Sequence, residues 1–106
     1  MTAKSVTNRV TALTGTDYPI VQAPMGWIAR AQLVAAVSNA GGLGIIETAS
    51  GEFEIIREEV KKLRDMTDKP FGMNVSLAHV KDSSIIDFVV EQGLGFVTTS
   101  SGSPAV

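Results

Sequence analysis

The 106-residue chain contains no cysteine and a single histidine, His79. Without thiols there is no disulfide, no thiolate metal site and no cysteine nucleophile. With one imidazole, a multi-histidine metal centre cannot be assembled within the chain. Positive charge is also scarce: Lys and Arg number 9 against 11 Asp and Glu, for a formal net charge of -2. Such a chain offers no field to hold a phosphate backbone, which excludes nucleic acid as an expected partner. No stretch approaches the ~20 apolar residues that a membrane span needs. The polar start MTAKSVTNRV lacks the apolar run of a secretory signal. The expectation is a cytoplasmic protein with no membrane partner.

What is present is core material. Hydrophobic residues make up 44% and charged residues 19%, a balance that favours a packed domain over disorder. Neither a low-complexity stretch nor an interdomain linker interrupts it, so residues 1–106 are read as one unit with no second domain.

Val10 to Leu13 predict a short helical turn stopped by Gly15. Pro19-Ile20-Val21-Gln22-Ala23, closed by Pro24, predicts a strand. Over residues 29–40 the spacing of Leu33, Ala36, Val37 and Ala40 predicts a helix with those residues on its buried face, ended by Gly41-Gly42. Leu43 to Ile46 predict a second strand. Ser50 is the expected cap of the next helix, with Phe53, Ile56, Val60 and Leu63 as its buried stripe and Glu58–Lys62 as an ion pair. Pro70 to Val75 predict a third strand. Ser84 and Asp87 then suggest a capping box before a helix with Ile86, Val89 and Val90 inward, stopped by Gly93. Gly95 to Thr99 predict a fourth strand, followed by loop.

The order is β-α-β-α-β-α-β, with strands starting at nearly even intervals near Pro19, Leu43, Pro70 and Gly95. Apolar runs in place of strict alternation indicate a parallel sheet covered by helices. A complete (β/α)8 barrel needs about 250 residues. The expected fold is therefore α/β, the first half of a TIM barrel with about four βα units. A flavodoxin-like open sheet is the structural competitor. In such a half-barrel Ile20, Ile45, Met73 and Val97 are the expected uncovered apolar groups.

Barrel active sites lie at the carboxyl ends of the strands, which directs attention to three segments. Ala23-Pro24-Met25-Gly26-Trp27 follows the first strand, and its Pro and Gly give a rigid turn able to approach a flat ligand. From the turn alone, an ordinary strand-to-helix turn with Met25 and Trp27 as packing is the better account. Asn74 ends the third strand, where an amide can donate and accept at a heterocycle's polar edge; capping the next loop is the plainer alternative. Thr98-Thr99-Ser100-Ser101-Gly102 ends the fourth with four hydroxyls. Gly41-Gly42-Leu43-Gly44 is not a dinucleotide loop, because it closes a helix and opens a strand, the reverse of that motif's order. His79 has a pKa range suited to acid–base work, but no acid is placed by sequence to orient it. No catalytic residue is assigned within the chain, and no metal site.

Read together, four segments resemble the nitronate monooxygenases, also called 2-nitropropane dioxygenases. They are residues 19–27, Ser38-Asn39-Ala40-Gly41-Gly42-Leu43-Gly44, Lys69-Pro70-Phe71-Gly72-Met73-Asn74-Val75, and residues 97–104. The flavin-type enoyl-acyl-carrier-protein reductases share much of the pattern. The resemblance implies the amino-terminal half of an FMN-binding TIM barrel, in an enzyme that oxidises alkyl nitronates with O2. It implies cofactor contacts from Ala23, Pro24, Met25, Asn74, Thr99 and Ser100, with Gln22 a further candidate. The family's catalytic His and phosphate-binding loops belong to the second half of the barrel, and His79 does not match that His by position. The non-enzymatic alternative is a half-barrel that self-associates or pairs with a second half.

Overall fold

The structure is a computed structural model that describes residues 5–79, 84–103 and 105. Helix α1 spans Arg9–Thr14. It begins at a reciprocal cap in which Asn8 Oδ1 accepts from the Thr11 amide at 2.9 Å and the Asn8 amide donates to Thr11 Oγ1 at 3.0 Å. Gly15, at φ 74°, ends it.

The sheet is parallel. Strands β1 (Gly44–Ile46), β2 (Phe71–Ser76) and β3 (Val97–Ser100) lie in the order β1-β2-β3. The strand expected over residues 19–23 contracts to one parallel bridge, Val21 to Leu43, on the outer side of β1. Pro19 and Pro24 bracket that segment and neither can donate to a ladder, so pairing stops after one residue. Four extended segments nonetheless lie side by side in sequence order. A flavodoxin-like order would insert the first between later ones.

Helices α2 (Ala31–Asn39), α3 (Phe53–Met66) and α4 (Ser84–Glu91) connect these segments. Together they cover one face of the sheet. Ile46, Phe71, Met73 and Val75 point into a core with Val34, Ile56, Val60, Leu63, Ile85 and Phe88. The α3 stripe is buried as expected at Ile56, Val60 and Leu63. Its cap is Glu52 in place of Ser50, and its ion pairs are Glu58–Lys61 at 3.3 Å and Glu59–Lys62 at 3.7 Å in place of Glu58–Lys62. Helix α4 opens at Ser84 itself, and the position that would cap it lies outside the described residues.

Helix α2 buries a different face from the one expected, and α4 buries only Val89 of its expected stripe. In α2 the buried residues are Ala31, Val34, Ala35 and Ser38, not the stripe through Leu33 and Val37. The reason is Gly44: a Cβ there would lie 2.5 Å from the Val34 carbonyl oxygen, so α2 rests directly on the β1 backbone. In α4 Ile85, Phe88 and Val89 are buried while Ile86 and Val90 face outward. Phe88 meets Phe53 edge-on at 5.5 Å, and the Arg57 guanidinium stacks 5.0 Å from the Phe88 ring centroid.

The register fixes what each face carries. Asn74 pairs with Thr98, Ser76 with Ser100, and Val75 with Thr99. With side chains alternating, Ile45, Gly72, Asn74, Ser76, Thr98 and Ser100 form the face away from the helices. Of the four apolar groups expected to be uncovered, Ile20 and Val97 are exposed. Ile45 and Met73 are buried, Met73 because it points into the helix-side core.

Candidate functional site

The carboxyl ends of the strands are joined by side chains where the backbone ladder stops. Gln22 Nε2 donates to the Ile45 carbonyl at 3.1 Å, and Gln22 Oε1 accepts from the Ile45 amide at 3.3 Å. Thr48 does the same on the other side of β1: its hydroxyl donates to the Asn74 carbonyl at 2.8 Å and accepts from the Ser76 amide at 3.0 Å. Both replace a missing backbone pair, satisfying groups that would be costly to bury unpaired.

Glu47, directly after β1, is fully buried. Its Oε1 accepts from Arg30 Nε at 3.1 Å and from the Ser50 hydroxyl at 2.9 Å, and its Oε2 accepts from the Ser50 amide at 2.9 Å. Arg30 extends the pair outward to Glu52 at 2.7 Å. The hydrogen bond to Glu52, assisted by the one to Glu47 and opposed by desolvation, holds the Arg30 guanidinium above its ordinary pKa. It therefore stays charged throughout the working range of the protein.

Asn74 is almost fully buried on the face away from the helices. Its Oδ1 accepts from the Thr98 hydroxyl at 2.7 Å and its Nδ2 donates to Ser100 Oγ at 3.0 Å. A primary amide has two N–H donors and two carbonyl lone pairs, so among the described residues one of each is left over. Thr99 falls on the opposite face, in register with Val75. The structure thus brings Asn74, Ser100 and Thr98 together and separates the Thr99 side chain from them.

Residues 23–28 form the loop after the first extended segment. The Met25 carbonyl accepts from the Ile28 amide at 3.1 Å and the Ala29 amide at 2.8 Å. Ala23, Met25, Trp27 and Ile28 are exposed and Pro24 is half-buried. Gln22 is engaged by β1. Among the described residues two non-glycines have positive φ, Trp27 at 64° and Ser101 at 58°, and both sit in loops at the carboxyl ends. Such conformations cluster at functional sites. His79 Nδ1 pairs with the Ser76 hydroxyl at 2.7 Å.

The glycine-rich stretch lies at the opposite end, and its amides are engaged. Gly41 donates to Ser38, Gly42 to Val37, Leu43 to Ile20, and Gly44 to the Ser38 hydroxyl. Gly41, at φ 102°, is the helix-closing glycine expected there. Near that same end a shallow hollow of about 220 Å³ opens between α1 and the starts of β2 and β3, lined by Leu13, Pro70, Phe71 and Phe96 among others. No helix among the described residues is long and apolar enough to cross a membrane. Among the same residues no group of three or more His, Cys, Asp or Glu converges to hold a metal.

The sequence reading did not single out Glu47, Arg30 or Thr48. An acid immediately after a wholly apolar strand was the available signal for Glu47. Its distant partner, Arg30, had none.

Parallel strands in chain order, helices on one face and polar groups at the carboxyl ends define the opening portion of a TIM-barrel enzyme. A sequence-family model described as nitronate monooxygenase matches residues 7–95, and the chain belongs to that oxidoreductase family. It is 46% identical over 70 residues to a nitronate monooxygenase of Pseudomonas aeruginosa, covering 66% of this chain and 20% of that protein. It is 36% identical over 85 residues to the (3aS,4S,5R,7aS)-5-hydroxy-7a-methyl-1-oxo-octahydro-1H-indene-4-carboxyl-CoA dehydrogenase of Mycobacterium tuberculosis, covering 80% of this chain and 24% of that one. The solved structure of FabK from Thermotoga maritima superposes with a TM-score of 0.88 at 37% identity, over 94% of this chain and 32% of that chain. The nitroalkane oxidase of Streptomyces ansochromogenes superposes at 0.57 with 38% identity, over 74% and 22%. The chain spans about a quarter of the length of the curated relatives it matches.

Proposed function

We propose that this chain forms the flavin-ring side of an FMN-dependent nitronate monooxygenase, a cytoplasmic enzyme that oxidises alkyl nitronates with O2. The observation that carries this is Asn74: a buried amide, fixed by Thr98 and Ser100, with one donor and one acceptor left over among the described residues toward the carboxyl ends of the strands. A flavin ring requires a flat apolar contact and a polar edge that both donates and accepts. The loop of Ala23, Pro24 and Met25, with Ala23 and Met25 exposed, offers the first, and Asn74 with Ser100 offers the second. In this reading the Thr98 hydroxyl takes the place first expected for Thr99. When bound, the flavin supplies the redox chemistry that carries electrons from the nitronate to O2. The residues described here bind and orient its ring, while a site outside this chain holds its phosphate and supplies the catalytic base.

Flavin analysis of the longer protein that carries this chain, with O2 uptake on an alkyl nitronate, tests the proposal. Stoichiometric FMN and nitronate-dependent uptake are expected. A purified protein without flavin would overturn it.

A second reading is favoured by the exposed Met25, Trp27 and Ile28, whose apolar surface suits a bulky alicyclic substrate. The Mycobacterium tuberculosis relative is named for such an acyl-CoA. Flavin content without nitronate oxidation, together with turnover of a cyclic acyl-CoA thioester, would select it. Reduction of an enoyl thioester would select the enoyl-reductase alternative.

A further inference from the structure

The loop over residues 23–28 is held to the sheet at its two ends, and both anchors are on β1 or its continuation. At the first end Gln22 clasps Ile45. At the second, Glu47 holds the chain twice. Its amide donates to the Ala29 carbonyl at 2.9 Å, and its carboxylate holds Arg30 Nε at 3.1 Å. Between the anchors, the backbone bonds are local ones that converge on the Met25 and Ile28 carbonyls. Trp27 sits in this span at φ 64° although it is 63% exposed. A bulky residue keeps such a conformation only when its surroundings over-determine it. Its own side chain, out in solvent, cannot be what does so.

A buried ion pair is weak support for stability, because desolvation offsets much of the attraction. Its better-attested use is to select one geometry among several. Here the carboxylate is fully buried and receives three donors, one from Arg30 and two from Ser50. The carboxyl-end loops before α2 and α3 are thereby tied to one point.

We propose that Arg30 and Glu47 are positioning residues that set the conformation of the Met25–Trp27 segment by fixing its carboxyl-terminal end to the end of β1. The inference rests on the flavin reading only for what the segment is positioned to contact.

Trp27 is the single tryptophan of the chain, so its fluorescence reports this loop alone. The experiment compares time-resolved anisotropy of Trp27, well below the melting transition, in the 106-residue chain and in Glu47→Gln, Arg30→Lys and Glu52→Gln. Lys61→Ala, which removes an exposed pair on α3, is the control. Glu47→Gln keeps the side-chain shape and removes the charge. Arg30→Lys and Glu52→Gln alter the more exposed part of the network and keep the chain measurable if Glu47→Gln does not fold. The expected result is at least a twofold rise in the amplitude of fast Trp27 motion in Glu47→Gln and Arg30→Lys, a smaller rise in Glu52→Gln, and none in the control. A purely structural role would lower the melting temperature and leave Trp27 motion at the wild-type value in folded variants; that result overturns the proposal. Failure of the flavin reading would show separately, as absence of FMN from the longer protein, and leaves the anisotropy comparison to decide the positioning role.

Discussion

The side-chain amide of Gln22 occupies the place of a strand neighbour to Ile45, donating to its carbonyl at 3.1 Å and accepting from its amide at 3.3 Å. Two residues earlier the pairing is ordinary backbone: the Leu43 amide donates to Ile20 and the Gln22 amide to Leu43, both at 2.9 Å. Pro24 ends that possibility because it has no amide hydrogen. The side chain continues the ladder while the main chain turns away to form the loop with Met25 and Trp27. One residue thus satisfies a buried backbone pair and releases a loop over the carboxyl ends.

Gln22→Ala and Gln22→Glu should each destabilise the chain by about 1–3 kcal/mol, the cost of leaving a buried peptide group unpaired. Glu is the stricter test, since it matches Gln in shape but cannot donate to the Ile45 carbonyl when ionised. Urea denaturation gives the energy, and hydrogen exchange at the Ile45 amide should accelerate selectively. A change below roughly 0.5 kcal/mol, the range of inert surface substitutions, would refute the ladder role.

Gly44→Ala should be severe. Its Cβ would lie 2.5 Å from the Val34 carbonyl oxygen and 2.9 Å from the Val34 Cα. Those are backbone atoms of α2, so relief requires moving the helix off the sheet, at a cost of roughly 3 kcal/mol. Gly95→Ala is the internal control, with no atom within 4 Å of the added methyl. It should be neutral, or stabilising by about 0.4–1 kcal/mol through the unfolded chain. Equal denaturation midpoints for the two variants would contradict the close approach.

These two sites show what the sequence could and could not disclose. Strand spacing and apolar runs were enough to locate the strands, because a buried parallel strand carries its own signature; their order in the sheet rested also on the family resemblance. The faces of α2 and α4 were not legible. Both helices are apolar on several sides, and periodicity alone does not choose between Val34 and Val37, or between Phe88 and Val90. The choice is made by partners distant in sequence: the bare backbone at Gly44 for α2, and Phe53 with Arg57 for α4. Asn74 and Ser100 were visible as polar residues ending apolar strands. Which of Thr98 and Thr99 accompanies them depended on register, and a shift of one residue reverses every side chain. The Glu47–Arg30 pair was hidden because a buried ion pair has no periodic pattern.

Asn74→Asp tests the polar edge of the site. An aspartate can still accept from the Thr98 and Ser100 hydroxyls, but its charge would be almost fully buried with no cationic partner beside those hydroxyls among the described residues, so the melting temperature should fall and binding is compared well below it. The aspartate loses the left-over N–H and adds a charge, which should weaken FMN binding by the longer protein about 10- to 100-fold, an effect of roughly 1.5–3 kcal/mol as for charged hydrogen-bonding groups. Thr98→Val should weaken binding as well, and Thr99→Val, on the other sheet face, should not. Fluorescence titration of FMN against each variant is the measurement. Stronger dependence on Thr99 than on Thr98 would reverse the assignment of faces.

The 106-residue chain on its own should associate. Strand β3 is at the edge of the three-stranded sheet, and its helix-facing side is open at Val97, 43% exposed; on α4, Val90 and Ile86 are exposed too. Ile20 and Val21, along the opposite edge, are exposed as well. An open edge presents unpaired amides and carbonyls, a template for another strand. At about 25 cal/mol per Å², covering a few hundred Å² of apolar surface contributes several kcal/mol. That is comparable with the roughly 5–15 kcal/mol net stability of a whole domain. A second copy pairing along β3 would cover Val97 and complete the hydrogen bonding of the edge together. Sedimentation velocity at micromolar concentration should therefore show a dimer or larger species. Val97→Lys, which places a charge on the open face beside the edge, should shift it toward monomer. A wild-type chain that sediments as a compact monomer with a sharp, concentration-independent melt would show that this edge is stable uncovered.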